Sequence, residues 1–262
     1  MRKIYAAIVT ALMLATLVGC GGPAGGGYIA GQIEEAYGFT HGAYVGRATV
    51  KVLDDGSFDV NIDEAFLPHT LAIVDIETDG WNEDNTVFYI SRGNEVRVAK
   101  YVEYDGTVYV GNTVGTGLVY VEAGEDGEAV GGKDLELIII RSQATMAGYH
   151  ANLQAGGFKI FTEFGGDAIP VTATSYGGLT KKTSPDYWNT GQTWVGNVGA
   201  IEAFIEENGA AFSLSEMQRA TEEDAEGLKK WSVADAVTGA TNADFKDYFG
   251  LAQAAIGRLK ME

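Results

Sequence analysis

The 262-residue chain has a single cysteine, Cys20, so no disulfide can form within it and no cysteine cluster can hold a metal. Histidine is nearly as scarce, and His41, His69 and His150 stand too far apart to show ligand spacing, so no metal is expected. Basic residues are few: 18 Lys and Arg face 36 Asp and Glu, a formal charge of −18. Such a surface repels nucleic acid and anionic lipid headgroups, and no nucleic-acid partner is expected. The chain also lacks a nucleophile elbow, a P-loop, a dinucleotide fingerprint and any repeat short enough for a solenoid. The acidic stretch Gly124 to Gly132 lacks the regular oxygen spacing of a calcium loop and reads as a solvated loop. No residue is assigned a catalytic role.

What is present begins with Arg2 and Lys3, followed by an apolar run from Ile4 to Val18 that is too short for a comfortable membrane span. The run ends in Leu17-Val18-Gly19-Cys20, which resembles a bacterial lipobox. The resemblance implies that residues 1–19 are a signal peptide that is removed, and that the Cys20 thiol is acylated, fixing the chain to a lipid bilayer on its extracytoplasmic side. An ordinary secretory signal with an incidental thiol is the other reading. Two or three acyl chains give firm anchoring where one does not. Loss of Arg2 and Lys3 with the signal takes the net charge from −18 to −20. Residues 20–32, with Gly21-Gly22-Pro23-Ala24-Gly25-Gly26-Gly27, form a flexible tether. Residues 33–262 read as a single domain, with room for a subdivision near 125–135.

From Ala43 onward the pattern is that of strands. Tyr44 to Leu53 and the alternating Phe58, Val60 and Ile62 flank the turn Asp54-Asp55-Gly56, a β-hairpin signature. Leu71 to Ile76, Thr86 to Ile90, Val96 to Val102 and Thr107 to Val110 extend this into a meander, and Phe158 to Phe164 and Ile169 to Thr174 read as two more strands. The apolar run beginning at Leu135 is either a helix continuing to about Leu153 or a buried strand followed by a helix; the helix is favoured. Ser184-Pro185-Asp186 is a helix-start signal for a helix ending at Asn208-Gly209. Met217 to Lys230 reads as a short surface helix, and Ala243 to Leu259 as a helix with one apolar face. Strands first and helices later predict an α+β fold, a largely antiparallel sheet covered by helices.

The segment Asp235-Ala236-Val237-Thr238-Gly239-Ala240-Thr241 precedes that last helix. Gly239 allows backbone conformations closed to other residues, and Ala240 leaves room for close approach. Unpaired N–H groups in a helix's first turn carry about half a positive charge and can hold an anion. Thr241 can offer its hydroxyl to that anion, or it can serve only as a helix cap.

DAVTGAT is similar to the flavinylation motif of the FMN-binding domain family, found in the RnfG and NqrC subunits of ion-pumping redox complexes and in lipid-anchored flavoproteins. Matched position by position, the family's aspartate falls on Asp235, its hydroxyl residue on Thr238, then Gly239 and Ala240, and its acceptor on Thr241. The resemblance implies that Thr241 bears covalent FMN through a phosphodiester, placed there by a separate flavin transferase, and that the chain is an electron carrier between membrane-bound redox partners rather than a stand-alone enzyme. It covers the C-terminal third and the stretch from Gly42-Ala43-Tyr44 through the first hairpin. Where relatives carry a second Ser or Thr after the acceptor, Asn242-Ala243-Asp244 follow here; Asn242 can still cap the helix. Tyr176, Trp188 and Trp194 are the aromatic residues considered for stacking on the ring, each more commonly a core residue. Leu67-Pro68-His69-Thr70 looks somewhat like a family loop in changed order. The other functional class that the sequence allows is a surface lipoprotein, an antigen or ligand-binding module, without flavin.

Overall fold

The computed structural model describes residues 27–78, 80–189, 193–209, 211–215, 217–223, 229–233, 236–237 and 246–261. Its fold is α+β with antiparallel sheets. Numbered along the chain, the described helices are α1 (Pro68–Leu71), α2 (Leu135–Ile139), α3 (Gln143–Gln154), α4 (Trp194–Asn208) and α5 (Lys246–Ile256). Cα proximity divides the chain into two compact units, the first made of the chain up to Glu64 and from Tyr187 onward, the second of Ala65 to Asp186.

In the first unit, β1 (Ile33–Thr40), β2 (Tyr44–Val52) and β3 (Phe58–Phe66) form a sheet in that order. β1 and β2 pair from Ile33↔Lys51 to Thr40↔Tyr44 around a tight turn in which His41 (φ 50°) and Gly42 (φ 67°) are both left-handed. Val50, Val52, Val60 and Ile62 send their side chains into a core closed by Trp194, Val198, Ile201 and Ile205 of α4 and by Tyr248, Phe249, Ala252, Ala255 and Ile256 of α5. The three-and-four spacing on both helices produces those apolar faces. Gly38 and Gly46 are paired across β1 and β2, and Leu251 of α5 packs against both. Along the other edge of the sheet, the backbone N–H groups of Val60 and Ile62 donate to Glu206 Oε1 (3.0 Å) and Glu202 Oε1 (2.6 Å) of α4. Two carboxylates one helical turn apart thus match two outward N–H groups two residues apart on the strand. This unit also holds β12 (Gln218–Glu223), β13 (Lys229–Val233) and β14 (Ala236–Val237), a second antiparallel sheet in that order.

The second unit contains the hairpin β4 (Thr86–Ser91) and β5 (Asn94–Ala99). It also has a six-stranded sheet built from β6 (Tyr101–Tyr104), β7 (Thr107–Val114), β8 (Gly117–Ala123), β9 (Ala129–Gly131), β10 (Lys159–Phe161) and β11 (Ile169–Pro170), in the order β11-β10-β6-β7-β8-β9. Buried hydroxyls tie it together: Tyr120 donates to the Ala99 carbonyl (2.7 Å) and Tyr149 of α3 to that of Phe66 (2.5 Å).

Several local expectations are corrected. Leu71 to Ile76 is not a strand. Pro68 at the first helical position starts α1, and only Ile73 bridges, to Val98. The Leu135 run is helical but breaks into α2 and α3, because Ser142 and Thr145 form a capping box that starts a new helix. Ser184 starts no helix: its hydroxyl donates to the Thr180 carbonyl, and α4 begins ten residues later, where Thr193 accepts from the Gly196 N–H. Met217 to Lys230 is not a helix; Gln218–Glu223 and Lys229–Val233 pair as strands, so cross-strand pairing overrides local propensity. Val96 to Val102 is two strands, interrupted where the Lys100 N–H turns to the Asn85 carbonyl. β1 and β8 are strands beyond those expected, β9 lies inside the expected loop Gly124 to Gly132, and the strands expected at 158–164 and 169–174 are cut to three and two residues.

Candidate functional site around the start of the last helix

The residues singled out by the motif, Asp235, Thr238, Gly239, Ala240, Thr241 and Asn242, lie outside the described residues, as does Cys20. Within the motif, Ala236 and Val237 are described: they form β14, paired with Val233 and Ser232, and beyond the motif α5 starts at Lys246. The chain therefore runs from a sheet strand, past Thr241, into an amphipathic helix.

Around the first turn of α5 lies a buried polar cluster. The Glu64 side chain, at the C-terminal end of β3, has no solvent exposure. It accepts a hydrogen bond at Oε2 from the Tyr248 hydroxyl (2.8 Å), and its Oε1 lies 3.3 Å from His41 Nε2. Trp194 Nε1 donates to the Tyr248 oxygen (3.0 Å), and His41 Nε2 meets the same oxygen at 2.7 Å. A phenol has one proton and two acceptor positions, and an indole N–H only donates. With Glu64 ionised, Tyr248 directs its proton there and receives from Trp194, so His41 Nε2 is the second donor. Burial first, and then the Glu64 carboxylate, push the Tyr248 phenol well above its ordinary range, which keeps its proton in place.

The turn between β1 and β2 grips this helix end twice. The His41 backbone N–H donates to Asp247 Oδ2 (3.2 Å), while its ring packs edge-on against Tyr248 at 5.0 Å between centroids. Beyond it, Tyr44 shares a 2.9 Å hydroxyl contact with Tyr187. His41 is left-handed (φ 50°), a conformation in which Asn, Asp and His are the enriched non-glycine residues.

Of the three aromatics considered for stacking, Trp194 is buried in the core and bound to Tyr248, and Tyr176 stacks on Phe66 at 5.5 Å in the second unit. Trp188 is 45% exposed with a left-handed backbone (φ 46°). In the sequence, Glu64 stands out only as one of two acids in Ile62-Asp63-Glu64-Ala65-Phe66, a run otherwise apolar, and Tyr248 reads only as part of the apolar face of the last helix.

His69 belongs to a separate cluster within the second unit. Its Nδ1 lies 2.7 Å from Glu136 Oε1, which also accepts the His69 backbone N–H at 2.9 Å. Burial pulls the His69 imidazole down, but the charge and hydrogen bond of Glu136 outweigh it and leave it raised. Burial pushes Glu136 up, and His69 outweighs that and holds it low. Asp134, which caps α2 by accepting the Glu136 N–H, is pushed up to about 6 by burial and then by the neighbouring Glu136 charge.

Among the described residues, no group of three or more His, Cys, Asp or Glu is placed to hold a metal, and no helix is long and apolar enough to cross a membrane. The chain matches no family model, no curated protein and no solved structure.

Proposed function

We propose that the protein is a membrane-anchored extracytoplasmic flavoprotein that carries FMN covalently and relays electrons between membrane-bound redox partners. Thr241 is the attachment residue, through a phosphodiester, after a flavin transferase delivers FMN. Asp235, Thr238, Gly239, Ala240 and Asn242 form the surrounding motif, and acylated Cys20 is the anchor. The observation that most supports this reading is the frame of the motif. β14 ends four residues before Thr241, and α5 begins five residues after it. A motif of small residues gains meaning from such a strand-to-helix setting, where backbone N–H groups can meet a phosphate. Unit 1 also holds, at the described helix start, a buried hydrogen-bonded cluster of His41, Tyr248 and Glu64. The bound flavin would supply the redox chemistry; the protein supplies orientation and electrostatics.

The test is co-expression with a flavin transferase followed by intact-mass measurement of the denatured protein. The expected result is a yellow product heavier by FMN less one water, and an unmodified Thr241→Ala variant. A wild-type chain left unmodified would leave the protein a surface lipoprotein without flavin. A Thr241→Ala chain that still gains the mass would move the attachment site.

A further inference from the structure

Removing the Glu64 carboxylate from water costs several kcal/mol, and an apolar side chain of similar volume is often as good for stability. Its neighbours are arranged for proton transfer: one partly exposed imidazole, one phenol and one carboxylate lie in hydrogen-bonding sequence. We propose that Glu64 is a buried proton acceptor, reached from solvent through His41, that takes up a proton when negative charge arrives on the redox group of the first unit. The purpose named in the last clause rests on the flavin reading above; proton uptake by Glu64 does not.

The His41 side chain is 11% exposed, whereas that of Glu64 is wholly enclosed. The imidazole takes a solvent proton at Nδ1. Its Nε2–H bond then breaks as the proton passes to the Tyr248 oxygen at 2.7 Å, while the Tyr248 proton moves on to Glu64 Oε2 at 2.8 Å. This route leaves a neutral imidazole, an intact phenol and a protonated Glu64, so one proton enters and no electron moves. Trp194 holds the Tyr248 oxygen in line from α4. The titratable groups facing this path are Tyr248 and Asp247 on α5, Tyr44 on β2, Tyr187 before α4, and Asp63, whose Oδ1 accepts the Glu64 backbone N–H at 2.7 Å.

The experiment uses the full chain without flavin and records infrared difference spectra after a rapid drop in pH. Other carboxyls, Asp134 among them, protonate in both proteins, so the wild-type spectrum minus that of Glu64→Gln is expected to leave one carboxylic-acid carbonyl band. His41→Gly keeps the backbone N–H and suits the left-handed turn. It should delay that band by about 100-fold, the scale of a positioned proton-transfer group, and added imidazole should restore the rate. A subtraction that leaves no band, or a rate indifferent to His41→Gly, overturns the proposal. With flavin attached, the midpoint potential of Glu64→Gln should depend less steeply on pH than that of the wild type, and equal slopes would sever the link to the redox group. Failure of flavin to attach counts against the function proposed above, while the flavin-free spectra still decide the role of Glu64.

Discussion

Gly38 and Gly46 face each other across β1 and β2, and the space left by their missing side chains is filled by Leu251. A Cβ on Gly46 would lie 2.8 Å from Leu251 Cδ1 and 2.7 Å from Thr40 Cγ2, and one on Gly38 would lie 2.9 Å from Leu251 Cδ2. The pair therefore sets how closely α5 approaches the sheet. Gly46→Ala should cost about 1–3 kcal/mol in urea unfolding, the range for overpacking a core. Combined with Leu251→Ala, the loss should be smaller than the sum of the single losses, because both changes act on one space. Strict additivity would show that this close approach is not what sets the cost.

The carboxylates of α4 that cap the β3 edge make a second prediction. Glu202→Ala leaves the Ile62 N–H, now served at 2.6 Å, without that acceptor. Stability should fall by about 1–3 kcal/mol. Self-association should rise, since an uncovered strand edge recruits other strands. Sedimentation showing an unchanged monomer, together with an unchanged unfolding midpoint, would refute both parts.

Acid dependence follows from the second unit. A carboxyl raised in the folded state, as Asp134 is to about 6, binds a proton more tightly folded than unfolded. Its contribution to stability therefore declines as pH climbs from about 4 to about 6. Asp134→Asn should flatten the stability curve over that interval; an equally steep curve would exclude Asp134 as its source.

The His69–Glu136 pair has the opposite logic on its two sides. Raised His69 contributes fully below the unfolded imidazole value of about 6.5 and loses that contribution as pH rises through its folded value. Lowered Glu136 contributes above about 4.3 and loses it as pH falls through its folded value. His69→Gln should therefore destabilise more at pH 5.5 than at pH 9, as read from paired unfolding curves. Equal losses at both values would remove the charge from the account.

For the proposed lipid anchor, Cys20→Ser should abolish palmitate labelling. Retained label on the serine variant would place the lipid elsewhere.

The sequence made the fold class and the two main helices of the first unit legible for different reasons. The last helix shows its buried face directly in Tyr248, Phe249, Ala252, Ala255 and Ile256. The end of α4 was marked by Asn208-Gly209, but its start was hidden because Ser184 and Thr193 are equally good caps on paper, and only the bond from Ser184 to Thr180 decides between them. β12 and β13 are not legible because their charged residues favour helix locally, while their pairing depends on partners six to fourteen residues away. For the candidate site, a motif can name Thr241, but His41, Glu64 and Tyr248 are separated by 23 and 184 residues and share no spacing that a linear reading could detect.

The first unit draws its sheet from one end of the chain and its covering helices from the other, with Ala65 to Asp186 between them. When the β1–β3 hairpins emerge during synthesis, Val50, Val52, Val60 and Ile62 have no α5 to cover them, and the second unit has all its residues long before the first does. A ribosome or translocon that delivers the amino end first must therefore keep an apolar sheet waiting for most of the chain's length, the interval in which such surfaces aggregate. The edge-covering glutamates of α4 also arrive late, so misassembly in this protein is a matter of timing as much as of final stability.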